Sequence, residues 1–351
     1  MKKLGIFTIF FVMAMALIGC SNEKTGSSKT SSNKLIEVTI EDASYILSGE
    51  NDGVSEDKDT KKGLLAVDLK IKNKTKEKII ISDQNIKLYD GEEQLSPVDD
   101  FNHKIDLEYP NLGEIGGEKV KTVTLIFNVE KDKKYDIGIT PLTTDSTDED
   151  EVLIQLDTKK YGKSFDKLDN PAKALTAYIE TIYMDKDNVN YEKYVSADKK
   201  ALQEEAKKLF KEQLQRSFYD IDVPDADVDK QYINYKAALA EKTKIKAVTL
   251  ANAKGKAVVT LEYSTIPLDL YDAVSNYSDE YKNNTGDYEG VNRENYALSK
   301  LDVIISSIEP KESREKLEVE MIEKDGKWTV DTSDEYSSQE LMDAFTKGSA
   351  F

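Results

Sequence analysis

The sequence predicts two folded domains, a β-sandwich followed by an α+β domain. From Ile36 onward, apolar residues alternate with polar ones, the period of strands that bury one face. Later the apolar spacing becomes helical, and further strands follow. A polar segment, TKKYGKSFDKL at residues 158–168, separates the two patterns. We therefore expect the sandwich over residues 35–157, a linker over 158–168 and an α+β domain over 169–351, with the two domains folding independently.

The first domain contains several short strands separated by turn residues. The alternating or apolar runs lie at residues 36–40, 65–71, 79–81, 86–88, 120–129, 135–139 and 152–156. The strongest of them is VKTVTLIFNV, which begins at Val120. Short strands with turn signals and no helical period are typical of an antiparallel sandwich of the immunoglobulin type.

The second domain opens with a helix that Asn170 is expected to cap, with Pro171 at its first position. Helical spacing is found near residues 170–183, 196–218, 227–241, 268–281, 292–308 and 338–345, and hairpins near 245–266 and 317–330. The turn at Asp325-Gly326 favours a tight hairpin, in which Trp328 is expected to be buried. Helices followed by strands predict an α+β domain.

The N-terminus has the pattern of a secretory signal. Lys2 and Lys3 precede an uncharged run that ends at Gly19, which is shorter than the ~20 residues of a membrane-spanning helix. Residues 1–19 are therefore expected to be removed. Residues 20–34 are rich in Ser, Thr and Lys, which predicts a flexible tether.

The residues Leu-Ile-Gly-Cys that end at Cys20 resemble the bacterial lipobox. This resemblance implies that the Cys20 thiol carries diacylglycerol and anchors the protein to the outer face of the cytoplasmic membrane. The alternative is an ordinary signal peptide with a chance cysteine. Cys20 is the only cysteine in the chain, which favours lipidation over a structural thiol.

The charge of the chain excludes some partners. The formal net charge is −18, and removing Lys2 and Lys3 with the signal makes it −20. A surface of this sign repels nucleic acid and anionic lipid head groups. We therefore expect no nucleic-acid partner, and membrane attachment through the lipid on Cys20 rather than through charge.

Two sequence stretches resemble known domains. The run from Gly63 to Ile81 and the later strand VKTVTLIFNV with its following Lys-Asp resemble a domain of Gram-positive surface lipoproteins, which implies an immunoglobulin-like fold of unassigned function. The ending EKDGKWTV at residues 323–330 resembles the last hairpin of cystatin-like or nuclear-transport-factor-2-like domains. As a whole, the chain resembles uncharacterised Gram-positive surface lipoproteins of the YcdA type.

The residue types that usually carry out catalysis are scarce. His103 is the only histidine and lies in a polar stretch of the first domain, so we expect no catalytic residue, no metal site and no cofactor. Asp225, Asp227 and Asp229 have the spacing of calcium ligands, but Lys230 stands where the loop glycine belongs. Ser196 begins an S-x-x-K pattern, which is interpreted as a helix cap.

One stretch of the second domain is a candidate contact surface. Tyrosines cluster there among Asp, Asn, Ser and Gly, and a tyrosine offers apolar area with a polar tip. The candidate contact residues are Tyr281, Tyr288 and Tyr296. The favoured function is non-enzymatic binding of a cell-surface protein or wall component. A small-ligand-binding lipoprotein is the alternative, and a wall-modifying hydrolase is the third hypothesis.

Overall fold

The structure is a computed structural model that describes residues 29–49, 61–98, 104–105, 112–143 and 150–349. The predicted signal segment, Cys20 and His103 lie outside the described residues. The strands of the first domain are β1 (Lys29–Ser32), β2 (Ile36–Ser48), β3 (Lys62–Asn73), β4 (Ile79–Ile81), β5 (Ile86–Asp90), β6 (Glu93–Leu95), β7 (Gly113–Ile115), β8 (Val120–Glu130), β9 (Lys134–Ile139), β10 (Leu142–Thr143) and β11 (Val152–Asp157).

The second half alternates helices with two hairpins. A short 3₁₀ segment (Thr158–Tyr161) precedes these elements: α1 (Gly162–Phe165), α2 (Asn170–Tyr183), α3 (Tyr191–Tyr194), α4 (Lys199–Gln215), α5 (Asp225–Lys242), β12 (Ile245–Ala253), β13 (Lys256–Thr265), α6 (Tyr271–Thr285), α7 (Gly290–Leu298), α8 (Leu301–Ser307), β14 (Lys311–Glu312), β15 (Leu317–Lys324), β16 (Lys327–Val330) and α9 (Glu335–Thr346).

The first domain is a sandwich of sheets. Strands β1, β2, β3 and β8 form one layer, and strands β11, β9, β5 and β6 form another, with the small sheet β10-β4-β7 beside them. The inward side chains of both layers make one apolar core, which includes Leu65, Leu69 and Ile137, none of them exposed. The β-rich first half and the α+β second half confirm the predicted fold class at this coarse level.

The second domain packs helices on one face of the antiparallel sheet β12-β13-β15-β16. The hairpin between β15 and β16 turns at Asp325 and Gly326, whose φ angles of 53° and 79° are those of a tight hairpin turn. Trp328 on β16 is only 4% exposed and belongs to the core, as predicted.

Two predicted helix caps are wrong by one or two residues. Asn170 is the first residue of α2, and Asp169 precedes it as the cap. Asp198 caps α4 through its carboxylate, which accepts a hydrogen bond from the Ala201 amide at 3.0 Å. Ser196 instead donates its amide to the Trp328 carbonyl. A carboxylate accepts this bond more strongly than a hydroxyl because it is charged.

The two halves share one sheet, which the sequence did not predict. Strand β12 pairs with β2 through Ala251 opposite Ser48 and Asn252 opposite Leu47, so nine strands form a continuous sheet. On one face of this junction a separate apolar cluster joins both halves, with buried residues Ile46, Ala66, Ile105, Ile126, Ala251, Ala253 and Val258. The halves are therefore joined by backbone pairing and by a common core.

The predicted polar linker at 158–168 is ordered and packs against the first domain. The Phe165 ring meets the Tyr45 ring edge-on with centroids 5.0 Å apart, and the Tyr45 amide donates to the Ser164 hydroxyl at 2.9 Å. Tyr161, Phe165 and Leu168 all pack on the sandwich core. Their spacing of four and three residues places them on one face of a helical turn, so the segment buries apolar area despite its polar composition.

The predicted tether ends earlier than expected. Lys29–Ser32 form strand β1, which pairs antiparallel with β2 from Ile40 to Glu37. Asn33 then closes the turn, because its side-chain oxygen accepts from the amides of Leu35 and Ile36, both at 2.8 Å. Polar strand residues suffice here because β1 lies at the edge and gains its bonds from β2.

Candidate functional site

The predicted tyrosine surface is only partly assembled. The rings of Tyr281 and Tyr296 lie 5.3 Å apart, and the Tyr296 hydroxyl donates to the Glu280 carboxylate at 2.8 Å, which raises the pKa of Tyr296. Tyr288 makes no ring contact with either of them within the described residues. It is 73% exposed, with the Lys282 ammonium 5.5 Å from its ring centroid.

The contact between Tyr281 and Tyr296 has a structural explanation. It joins α6 to α7, and Arg293 on α7 also bonds Asp279 on α6 at 2.8 Å. Of the three predicted residues, Tyr288 is the one with most of its side chain in solvent. The use of this surface as a contact site remains a prediction.

Glu294, on α7, is a buried carboxylate with a full set of partners. It is 8% exposed and accepts hydrogen bonds from the amides of Tyr219, Asp220 and Ile221, at 3.0, 2.8 and 3.2 Å. Three successive amides form a natural anion-binding nest. The chain fills that nest with its own side chain, so it fixes α7 to the connection between α4 and α5.

Two of the three aspartates with calcium-like spacing pair with lysines instead. Asp225 bonds Lys211 at 2.6 Å, which lowers the pKa of the Asp225 carboxyl, and Asp229 pairs with Lys207. Both lysines lie on α4. Within the described ranges, no group of three or more His, Cys, Asp or Glu is arranged to hold a metal ion.

A groove with a volume of about 460 Å³ lies between β15 and α9. Strand β15 reads LEVEMIEK, and its odd-numbered side chains Leu317, Val319 and Met321 are buried. The even-numbered side chains Glu318 and Glu320 are therefore on the opposite face, because successive strand residues alternate. The period of two thus produces one acidic row along this strand.

Part of the β15 edge has no strand beside it within the described residues. Strand β16 pairs with β15 only from Met321 to Lys324. Beyond that, the Asp331 amide donates to the Glu320 carbonyl at 2.9 Å. On the other side of β15, the Glu323 amide donates to the Gly255 carbonyl at 2.8 Å. Backbone groups of even-numbered residues therefore face the β16 side, and those of Glu318 face the open part of the edge.

The opposite wall of the groove is the start of α9. Asp334, Tyr336 and Glu340 contribute side chains to it. Tyr336 is 73% exposed, and its hydroxyl interacts with Glu340, which raises the pKa of the Tyr336 phenol. A tyrosine held at the mouth of a groove by a carboxylate presents a flat ring to an incoming group.

The charge of the groove is negative. Its lining carries five carboxylates and two ammonium groups, a net charge of −3, from Glu315, Glu318, Glu320, Asp334, Glu340, Lys104 and Lys316. Lys104 bonds Glu318 at 2.9 Å. Lys316 bonds Glu262 at 2.7 Å, which lowers the pKa of the Glu262 carboxyl. Both lysines are thus already paired, and so is Glu318. The other four carboxylates of the lining make the groove suited to a cation.

Sequence reasoning did not identify this groove. The acidic alternation in LEVEMIEK is visible in the sequence, but the chain contains 67 acidic residues, so such a row is typical of any solvated strand face. What distinguishes Glu318 is that β16 ends before reaching it. No local pattern shows where a neighbouring strand stops.

No helix within the described ranges is both long and apolar enough to cross a membrane. Among curated proteins, the chain is similar to the uncharacterised lipoprotein YcdA of Bacillus subtilis, with 28% identity over 99% of each chain. The crystal structure of YcdA matches with a TM-score of 0.66 and 25% identity, covering 91% of this chain and 99% of that one. The whole-chain resemblance to YcdA-type lipoproteins is thereby confirmed.

Two family models also match. Residues 26–149 match a domain of unknown function, DUF4352. Residues 161–346, more than half of the chain, match a second domain of unknown function, DUF5105. The chain therefore belongs to the family of proteins that carry the DUF5105 domain.

Proposed function

We propose that this protein is a lipid-anchored, non-enzymatic binding protein on the outer face of the cytoplasmic membrane, and that its groove between β15 and α9 receives a cationic group of a cell-surface protein or wall component. The observation that carries this proposal is the groove itself, with five carboxylates around about 460 Å³. Clefts lined by charge of one sign concentrate the opposite charge and speed association.

The anchor is supported by the lipobox at Cys20 and by the lipoprotein name of the relative. Nine residue steps separate Cys20 from Lys29, the start of β1. A fully extended chain of that length spans roughly 30 Å at most. A tether of this length would keep the sandwich within roughly 30 Å of the membrane surface.

The finer fold assignments belong to the same proposal. Two facing sheets with a common core support an immunoglobulin-like first domain. A sheet that covers the long helix α2 supports a cystatin-like or nuclear-transport-factor-2-like second domain. Domains of both kinds commonly serve recognition, although a fold alone does not fix a function.

The small-ligand alternative is less well supported. It needs an apolar pocket between the helices and the sheet. That space is occupied by large side chains, among which Tyr183, Phe210, Tyr235 and Phe345 are each at most 3% exposed. The open acidic groove is a surface for a partner rather than an enclosed site.

A photo-crosslinking side chain placed at Tyr336 in intact cells tests this proposal. The matched position is Val189, which is 91% exposed and lies away from the groove lining. We expect a discrete adduct from position 336 that is absent from position 189.

Charge variants then show whether the adduct depends on the groove. The triple variant Glu315→Gln, Glu320→Gln and Glu340→Gln should abolish it. A control triple on the exposed face of α4, Glu204→Gln, Glu205→Gln and Glu212→Gln, should leave it intact. No adduct at position 336, or an adduct that persists in the groove triple, would contradict a binding role for the groove.

A further inference from the structure

The open part of the β15 edge offers more than charge. The Glu318 N–H and C=O face the same side as the Glu320 C=O, which already accepts from Asp331. The Glu320 N–H faces that side as well. Within the described residues no strand lies beside Glu318, and ladder groups without a neighbouring strand are a template for pairing with another segment.

The length of this edge sets the size of the segment. Three residues, from Leu317 to Val319, precede the part of β15 that β16 and the Asp331 amide cover. At ~3.3 Å per residue they extend over roughly 10 Å. The start of α9 borders this space. An edge of this length matches a short extended segment.

The side chains beside the edge select the charge of the segment. Residues directly opposite each other on neighbouring strands interact, and opposite charges stabilise the pair. Glu318 and Glu320 share one face. Glu318 is paired with Lys104, whereas Glu320 has no salt-bridge partner within the described residues, so this face favours a Lys or Arg on an incoming strand. A second copy of β15 would place glutamates opposite glutamates, which opposes self-pairing.

We propose that the β15 edge beside α9 binds an extended, lysine- or arginine-bearing segment of a partner protein, which adds to the nine-stranded sheet as a further strand next to Glu318. This inference rests on the proposed function, since it names the partner class of the same groove.

The test uses the purified chain without its signal and an acetylated, amidated Lys-Val-Lys-Val-Lys-Val peptide, with Glu-Val-Glu-Val-Glu-Val as its control. Titration should show binding of the lysine peptide that weakens with added salt, and no binding of the glutamate peptide. Failure of the lysine peptide to bind, or equal binding of both peptides, would overturn the proposal.

Two substitutions at one position separate charge from backbone pairing. Glu318→Ala removes the carboxylate and keeps the amide, whereas Glu318→Pro removes both. Proline is tolerated on an edge strand where its missing N–H faces outward. We expect Glu318→Pro to bind the lysine peptide about fivefold or more weakly than Glu318→Ala, as the loss of a backbone hydrogen bond implies. Equal affinities would exclude strand addition.

A second measurement does not depend on the proline variant folding. N-methylating alternate peptide residues removes donors on one side of the incoming strand only. One alternating set of methyl groups should abolish binding and the other should leave it nearly unchanged, because a strand presents its amides to the two sides in turn. If both sets behave alike, the peptide is not paired as a strand. Crosslinking at Tyr336 in cells would still decide the function of the groove separately.

Discussion

The shared sheet makes a quantitative prediction at Ile46. This β2 side chain is 2% exposed and packs in the cluster that joins the two halves. Ile46→Ala removes three buried carbons, worth ~0.8 kcal/mol each before any cavity cost, and core changes of this kind cost about 2–5 kcal/mol. We take about 3 kcal/mol as the expected loss in free energy of unfolding.

Trp328 reports whether this loss reaches the second domain. It is the only tryptophan and lies on β16, three strands from β2's partner β12. If the free energy of unfolding falls by about 3 kcal/mol per molar urea, a loss of about 3 kcal/mol lowers the unfolding midpoint by roughly 1 M. The midpoint from Trp328 emission and the midpoint from far-ultraviolet circular dichroism should fall together.

Two controls bracket this result. Ile233→Ala makes the same chemical change on α5 where the side chain is 63% exposed, so its midpoint should scarcely move. Ile137→Ala lies wholly in the sandwich core and should also lower the Trp328 midpoint if unfolding is one transition. The coupling between the two halves would be refuted if the Trp328 midpoint were unchanged in both Ile46→Ala and Ile137→Ala and circular dichroism showed two separate transitions.

Three further predictions concern single residues. Cys20→Ala should release the protein into the medium or leave it as an uncleaved precursor; processed, membrane-attached protein in fractionated cells would refute the anchor. Asp302 bonds Lys230 at 2.6 Å, which lowers its carboxyl pKa below the ordinary 3.8. The stabilisation it contributes is therefore complete above about pH 4 and lost as pH falls through the lowered pKa. Asp302→Asn should reduce stability at neutral pH and flatten its decline in acid, and an unchanged acid dependence of urea midpoints would contradict this. His103→Gln should fully complement a deletion of the gene, whereas loss of the phenotype with normal protein level would favour an enzyme.

The sequence predicted the strands of the sandwich because each one carries its own period. Val120–Glu130 is a long alternating run, and its buried members Val123, Leu125 and Phe127 lie on one face. The pairing of β2 with β12 has no comparable signal. Leu47 and Asn252 lie more than two hundred residues apart in the chain, and their pairing depends on how the two domains meet.

The linker shows where composition misleads. Residues 158–168 are mostly polar, which predicted a linker between two domains, yet Thr158 is fully buried. Its hydroxyl lies 2.8 Å from the Glu130 carbonyl and satisfies that group inside the fold. The helical spacing of Tyr161, Phe165 and Leu168 could have indicated a buried face, which the polar composition of the segment does not show.

The candidate site was the least predictable part. The rings of Tyr281 and Tyr296 lie close together because α6 and α7 pack against each other, but the use of this stretch as a contact surface stays a prediction. The groove depends on where β16 ends and on where α9 begins beside β15, and these are properties of tertiary packing. Glu318 gains its special position only from them.

Amide exchange at Glu318 tests the central claim most directly. In the free protein its amide should exchange quickly, because it faces the open edge, while the Val319 amide faces β13 and should exchange slowly. Adding the Lys-Val-Lys-Val-Lys-Val peptide should slow exchange at Glu318 and leave Val319 unchanged. A Glu318 amide that is already protected without peptide, or that stays unprotected at saturating peptide, would contradict strand addition at this edge.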